Sequence, residues 1–312
     1  MKPYPAAPCY LNASMSKVAI GTMVHNEAGN LPLLLPRLAA LRAAGHTVEQ
    51  IIVVCSACTD SSADIAYRAQ AKDSRVEVIV QKVREGKAAA INLFLARVRD
   101  DIEACVLISA DVLPAPGSLA ALLEPFCDPC VGMTGAQPVP TNPQVGILNR
   151  VVRFQWAVHH RVALRHPKLG EMVAFRASVP GIDPRTPVDE ASLEALITSQ
   201  GLALRYAAGA TVRNCGPQTL SEYISQRTRI FNGHIRLRRQ SGYEVSTYRV
   251  RSLLPPVLDE LRDHPGEIPV AIAAVCLEAF ARVLGTADQR ILGRTPTVWQ
   301  SLSSTKQPAN WA

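Results

Sequence analysis

Short runs of β-branched residues alternate with amphipathic helical patterns through the first two-thirds of the chain, and this alternation constrains the fold most. The apolar runs predict strands over residues 18–22, 51–54, 76–80 and 106–108. Leucines recur at helical spacing over residues 31–41, between the first two of these strands. Strand and helix in this rhythm predict an α/β domain with a mostly parallel central sheet flanked by helices.

Polar side chains follow three of the predicted strands. His25, Asn26 and Glu27 come after the first strand, residues 56–60 after the second, and Asp111 after the fourth. In sheets of this kind ligands bind at the carboxyl ends of the strands. The sequence therefore predicts one binding site at this edge of the sheet.

The pattern loosens after about residue 130 but remains readable. It predicts strands over 131–137, 171–175 and 204–206, and helices over 145–165, 189–199, 220–239 and 268–284. We expect a disordered leader over 1–16, one domain over 17–240 with halves at 17–115 and 116–240, and a C-terminal helical extension over 241–312.

Composition limits the classes of partner. With 33 Lys and Arg against 26 Asp and Glu the formal charge is +7, which favours nucleotide diphosphates or phospholipid surfaces and falls short of a nucleic-acid-binding signature. Residues 1–15 lack the apolar region of a signal peptide. No continuous apolar run reaches the ~18 residues that span a bilayer. We therefore expect a cytoplasmic protein without a nucleic-acid partner, with a peripheral position at the inner membrane face left open.

Two of the cysteine pairs have the C-x-x-C spacing that zinc sites use. They are Cys55 with Cys58 and Cys127 with Cys130. Paired zinc motifs usually lie ~12–20 residues apart, and these two lie much farther apart. Reduced, partly buried thiols are therefore the favoured interpretation, and a shared zinc site is the alternative.

Five motifs occur in a fixed order along the chain. They are Gly21-Thr-Met-Val-His-Asn-Glu27, Val54-Cys-Ser-Ala-Cys-Thr-Asp60, Arg84-Glu-Gly-Lys-Ala-Ala-Ala-Ile-Asn92, Ser109-Ala-Asp111 and Val188-Asp-Glu-Ala-Ser-Leu-Glu-Ala-Leu-Ile197. In this order they resemble the motifs of family 2 glycosyltransferases, and the resemblance covers roughly residues 17–240. It implies the GT-A fold, with a nucleotide-sugar half followed by an acceptor half. It also implies an inverting transfer of sugar from a UDP- or GDP-sugar to an acceptor hydroxyl, with a lipid-linked acceptor among the candidates.

The resemblance assigns donor and metal roles to particular residues. Asp111 matches the aspartate that binds Mg²⁺ or Mn²⁺, hard cations that need carboxylate oxygen and neutralise a leaving diphosphate. The chain departs from the family where Cys55 and Ser56 replace two acidic residues, and where Ser109 replaces the first aspartate of Asp-x-Asp. Contacts to the donor are expected from Thr22, Asn26, Glu27, Ser56, Asp60, Lys87, Ser109 and Arg229.

The last motif places two carboxylates at the start of a helix. The helix dipole stabilises their ionised forms, and one of them can remove the proton of an acceptor hydroxyl. By the resemblance Glu190 takes the position of the general base, and Asp189 is the second choice.

The predicted helix over 220–239 is densely basic, and its role is open. Its cations can contact phosphate inside the site, through Arg229 and His234, or lie on anionic lipid, or simply face water. Helical spacing predicts that Arg229 faces inward while Arg227 and Arg238 face outward. Neighbouring His159 and His160 point about 100° apart on a helix, so we interpret them as packing or surface residues and not as metal ligands.

Two competing functions remain at the level of sequence. A sugar nucleotidyltransferase needs a Gly-rich, lysine-bearing loop after its first strand, where this chain has Thr-Met-Val-His-Asn-Glu. A non-catalytic relative, acting as a nucleotide-sugar-binding protein or a membrane-docked scaffold, is the alternative that the missing carboxylates at Ser56 and Ser109 suggest.

Overall fold

The computed structural model describes residues 16–248 and 250–288, together with Ser304 and Lys306. The predicted leader thus lies, except for its last residue, outside the described residues. Eight strands form the central sheet: β1 (Ser16–Val24), β2 (His46–Ser56), β3 (Val76–Gln81), β4 (Ala104–Ser109), β5 (Val112–Pro114), β6 (Val131–Pro140), β7 (Met172–Arg176) and β8 (Ala203–Asn214). Their spatial order is β3-β2-β1-β4-β7-β6-β8-β5.

The sheet is parallel in its first half and mixed in its second. β1 pairs in parallel with β2 and β4, and β2 with β3, as the alternating pattern predicts. β7 runs antiparallel between β4 and β6. The mostly parallel prediction therefore holds for the first half, and the α/β class is confirmed. β8 pairs antiparallel with β5 and places Asn214 opposite Val112.

Nine helices flank the sheet within the described ranges. They are α1 (Leu31–Ala40), α2 (Ser62–Gln70), α3 (Lys87–Leu95), α4 (Ser118–Leu123), α5 (Ile147–Arg165), α6 (Asp189–Ser199), α7 (Leu220–Ser241), α8 (Val250–Asp263) and α9 (Ile268–Ala287). The sequence patterns missed α4, which is one and a half turns long, and α8. Pro255 and Pro256 lie inside α8, and proline normally argues against a helix interior.

The central strands are buried on both faces, which explains their continuous apolar runs. Alternate residues of β1 point to opposite sides, so Ile20 packs in the core on one face and Ala19 in the core on the other. Gly21 allows α3 to pack tightly against β1, because a Cβ there would lie 2.6 Å from Phe94 Cδ2. The close packing of α3 fixes where that helix begins, at Lys87.

The C-terminal helices pack across the second half of the domain. α9 contacts both α5 and α7, and buries Val270, Ala274 and Ala281. By length and composition the helical stretch Pro265–Ala287 could cross a membrane, and only 28% of its apolar window is buried, unlike a core helix. The sequence did not predict this because the continuous apolar run ends at Glu278, whereas the mean hydropathy of the helix stays high despite that one charge.

Candidate active site

A cavity of about 820 Å³ opens at the carboxyl ends of β1, β2 and β4. It continues past the start of α6 and under α7 and α9. Of the eleven residues given donor, metal or base roles from the sequence, seven line it: Glu27, Ser56, Lys87, Ser109, Asp111, Glu190 and Arg229. The predicted edge of the sheet is therefore the mouth of this cavity.

Asp111 lies in a cluster of carboxylates at the tip of β4. Burial raises the pKa of Glu27 to about 7, and the nearby Asp111 carboxylate raises it further. Burial likewise raises the pKa of Glu171 to about 8, with Asp111 as the next cause. The backbone of Glu171 is held at a φ of 61°, and its carbonyl accepts the Ser109 N–H at 3.0 Å. The Lys306 ammonium, 3.3 Å from Glu27 Oε1, offsets part of the repulsion between these carboxylates.

Asn214 presents an unused oxygen at the same place. Its side chain is 5% exposed, it lines the cavity, and its Oδ1 has no hydrogen-bond partner among the described residues. A buried carbonyl oxygen without a donor is costly, and such an oxygen is a good ligand for a hard cation.

The donor set fits a divalent cation that a substrate helps to bind. Across residues 16–248 and 250–288 no three His, Cys, Asp or Glu side chains are grouped so that they could hold a metal ion by themselves. Mg²⁺ is typically held by one or two carboxylates together with substrate phosphates. Asp111 and Asn214 supply a set of this kind.

Lys87 joins the two carboxylates at the start of α6. Its Nζ lies 2.7 Å from Asp189 Oδ2 and 2.7 Å from Glu190 Oε1, and 3.5 Å from Ser109 Oγ. Gly86, at a φ of 104°, turns the chain into α3 just before this lysine. Lys87 therefore connects the third, fourth and fifth sequence motifs through one ammonium group.

The two carboxylates differ in exposure and in acidity. Asp189 is 2% exposed and does not line the cavity, and burial raises its pKa to about 6. The Glu190 side chain is 24% exposed and faces the cavity. Burial alone would raise the pKa of Glu190, but the Lys87 ammonium holds it below its usual value. Glu190 is thus the ionised, accessible member of the pair.

Helix α7 contributes cations to the cavity, and one of them differs from expectation. Arg229 lines the cavity as predicted, and burial lowers its pKa to about 9 despite the nearby Asp189 and Glu190. Arg227, predicted to face outward, also lines the cavity and lies 2.7 Å from Glu278. The outward prediction for Arg227 is wrong because α9 covers that side of α7 and supplies the carboxylate.

Three predicted donor contacts lie outside the cavity lining. Thr22 is fully buried in β1, and Asn26 Oδ1 accepts the Thr59 N–H at 2.7 Å. Asp60 accepts the backbone N–H groups of Ala28 and Ser62 at 3.1 and 3.0 Å. In this structure Asn26 and Asp60 tie the loops after β1 and β2 to each other.

Sequence reasoning missed several residues at the site. Lys306 lies far along the chain, yet its Nζ donates to the carbonyls of His25 and Asn26 and is 3.3 Å from Glu27 Oε1. Lys168 and Asn214 also line the cavity. Their only sequence signal is a polar residue beside an apolar run, which many surface positions share.

The cysteine pairs have different surroundings. Cys55 is buried and Cys58 half-buried at the end of β2, whereas Cys127 and Cys130 are exposed. The sulfur of Cys58 donates to the carbonyl of Val24 at 3.5 Å. Cys58 thus packs as a thiol against β1, beside the donor end of the cavity.

Comparisons with known proteins concern the family and the fold. The model of the family described as "Glycosyl transferase family 2" matches residues 20–176, just over half of the chain. No curated protein matches by sequence. The mannosyltransferase PcManGT from Pyrobaculum calidifontis is similar in structure, with a TM-score of 0.61, 19% identity, and coverage of 95% of this chain and 85% of that one.

A second solved structure is glucosyl-3-phosphoglycerate synthase from Mycobacterium tuberculosis. Its TM-score is 0.51 at 17% identity, and the match covers 74% of this chain and 82% of that one. At such identities the likeness shows the fold, which is the GT-A fold that the motifs imply. From the family match, the chain belongs to glycosyl transferase family 2 and is a glycosyltransferase.

Proposed function

We propose that this enzyme moves a sugar from a nucleotide-diphosphate sugar to an acceptor hydroxyl, with inversion at the anomeric carbon. The observation that carries the proposal is that Asp111 and Glu190 line one cavity. The solved relatives support the donor and the metal. PcManGT is in complex with GDP-Man and Mn²⁺, and the synthase structures contain UDP with Mn²⁺ or Mg²⁺.

The reaction is a single displacement. Glu190 accepts the proton of the acceptor hydroxyl while that oxygen forms a bond to the anomeric carbon. On the opposite face of the sugar the bond to the diphosphate oxygen breaks, and its electron pair leaves with the nucleoside diphosphate. Lys87 keeps Glu190 ionised before the reaction, which a general base requires.

Neutralisation of the leaving group is the second requirement. A divalent cation, Mg²⁺ or Mn²⁺, held by Asp111 and Asn214 would supply positive charge at the diphosphate. Arg229, which lines the same cavity, adds a cation from α7. Lys87 was expected at the diphosphate as well, but its contacts with Asp189 and Glu190 favour a role in holding the base.

The first test measures release of nucleoside diphosphate from GDP-mannose and from UDP-glucose with Mn²⁺, alone and with candidate acceptors. Glu190→Gln should lower transfer by at least about 100-fold, the usual range for loss of a general base. Asp111→Asn should abolish the Mn²⁺ dependence. Asp100→Asn, an exposed aspartate, is the matched control. Full transfer by Glu190→Gln would rule out this base.

The second test addresses the metal site. Asn214→Leu should weaken Mn²⁺ binding in the presence of GDP or UDP by about 10-fold, whereas Asn214→Asp should strengthen it. Calorimetry of Mn²⁺ binding reports this without any turnover. Equal affinities for the three proteins would remove Asn214 from the site.

We also propose that the enzyme is cytoplasmic and works at an anionic membrane surface. The exposed face of α9 carries no charge: Ile268, Pro269, Ile272, Val275, Cys276, Ala279, Phe280, Val283 and Leu284. Exposed arginines lie on the neighbouring helices, among them Arg238 on α7 and Arg262 on α8. An apolar helix face beside cations is typical of peripheral binding to anionic lipid.

Vesicle sedimentation tests the membrane proposal. The protein should bind vesicles that contain phosphatidylglycerol more strongly than vesicles of pure phosphatidylcholine. Replacing Ile272 and Val283 by lysine should release it, because both side chains are more than half exposed on α9. Undiminished sedimentation of the double variant would exclude this face.

A further inference from the structure

The cavity extends away from the carboxyl ends of the strands into a second arm. Beyond Glu190 it passes between α5, α7, α8 and α9, and its apolar lining includes Val158, Val162, Leu253, Val257 and Ala274. A sugar donor is polar throughout, so an arm with this lining fits an apolar chain.

Positive groups are concentrated where this arm meets the catalytic end. Lys168, Arg227 and Arg282 line the cavity there, together with His159 and His234, which burial keeps neutral. Glu278 serves both arginines, at 2.7 Å from Arg227 and 3.0 Å from Arg282. One carboxylate thus serves two arginines, and Lys168 adds a third cation to the lining.

Lys168 is the clearest sign of a missing anion. Among the described residues no carboxylate lies within ion-pair distance of its Nζ. The nearest acidic influence is Glu194, whose carboxylate already accepts the Leu169 N–H and the Tyr243 hydroxyl, at 2.7 and 2.9 Å. Burial lowers the pKa of Lys168, and Arg227 lowers it further. A half-buried ammonium without a counter-ion is unfavourable unless a ligand supplies one.

Two histidines next to Lys168 also have buried polar atoms without a partner among the described residues. The Nδ1 atoms of His159 and His234 are buried without hydrogen-bond partners among the described residues. Burial, and after it the charge of Lys168, lower the pKa of His159 to about 3. These nitrogens can accept or, on binding an anion, donate to an oxygen.

The arm opens beside the apolar face of α9. Val275, which is 66% exposed, and Ala279 belong both to that face and to the lining of the cavity. A molecule whose chain lies in lipid could therefore enter the arm without crossing water.

We propose that the acceptor is a phosphate-bearing amphiphile with the hydroxyl that receives the sugar. Its phosphate binds Lys168, Arg227 and the two histidines, and its apolar chain lies between α5, α8 and α9. This inference rests on the proposed glycosyl transfer and names the class of its acceptor.

The test is calorimetry with octyl phosphate, octanol and inorganic phosphate. Octyl phosphate should bind at least tenfold more tightly than either of the others, because only it fills both the arm and the cationic site. Octanol binding equally well would exclude the phosphate site, and inorganic phosphate binding equally well would exclude the apolar arm.

Two variants locate the ligand. Lys168→Met should weaken octyl phosphate binding at least tenfold, and exposed Lys72→Met is its control. Ala279→Trp should obstruct the arm and weaken binding of octyl phosphate but not of inorganic phosphate. Cys276→Trp, on the exposed face outside the cavity lining, is the control for added bulk. Wild-type affinity in both Lys168→Met and Ala279→Trp would overturn the proposal.

Donor binding is measured in parallel to separate two failures. If wild-type protein binds GDP or UDP with Mn²⁺ but not octyl phosphate, the acceptor class is wrong and the transferase chemistry stands. If it binds no nucleoside diphosphate, the proposed function itself fails.

Discussion

Each end of the cavity contains a lysine, and among the described residues only the lysine at the catalytic end forms ion pairs with carboxylates. At the catalytic end Lys87 lies 2.7 Å from each of two carboxylates, and these raise its pKa above the usual value although burial opposes them. In the second arm Lys168 has no such partner, and burial lowers its pKa. We interpret Lys87 as a residue that positions two carboxylates, and Lys168 as a residue whose charge is available to a ligand.

The largest effect that this comparison predicts is on stability. Lys87→Met leaves Asp189 and Glu190 next to each other without their cation, and should lower the free energy of unfolding by about 3 kcal/mol. Lys168→Met removes an unpaired ammonium, so it should leave stability unchanged or raise it by about 1 kcal/mol. Urea denaturation at pH 7 measures both. An equal loss of unfolding free energy in the two variants would contradict the different roles of the two lysines.

The next prediction concerns the contribution of the second arm to stability in acid. The pKa of His159 falls from 6.5 to about 3 on folding, so below pH 6.5 the unfolded chain binds a proton that the folded chain excludes. This histidine alone therefore lowers stability as pH falls below 6.5, by about 1–2 kcal/mol at pH 5. Glu27 and Glu171 act in the opposite sense, because their pKa values are raised and their protonation favours the folded state.

Thermal unfolding at pH 5 and pH 7 tests this contribution. His159→Gln cannot gain the proton, so its melting temperature should fall less between pH 7 and pH 5 than that of the wild type. His166→Gln, an exposed histidine just beyond α5, is the control and should follow the wild type. An equal change in melting temperature between pH 7 and pH 5 for His159→Gln and the wild type would show that His159 does not contribute to the pH dependence of stability.

The same division separates what sequence could predict from what it could not. The donor end is built from short motifs at the ends of strands and helices, so their order predicted the family, the fold and six of the cavity residues. The second arm is built from helices that meet only in three dimensions. Arg227 was assigned outward because a helix pattern alone does not reveal that α9 covers it. Lys168, Lys306 and Asn214 act through neighbours distant in sequence, which no local pattern encodes.

The last and smallest prediction sharpens the boundary of the donor end. Asp60 was expected to contact the donor, but its two oxygens accept backbone N–H groups of Ala28 and Ser62. Asp60→Ala should therefore cost about 1 kcal/mol of stability, as loss of a capping carboxylate does, while Asp64→Ala, on the exposed first turn of α2, should cost less. Urea denaturation gives these values, and the KM for the donor decides the role. A rise in KM without loss of stability would show that Asp60 contacts the donor. If Asp60 only ties the two loops together, its loss must lower stability whenever it changes KM.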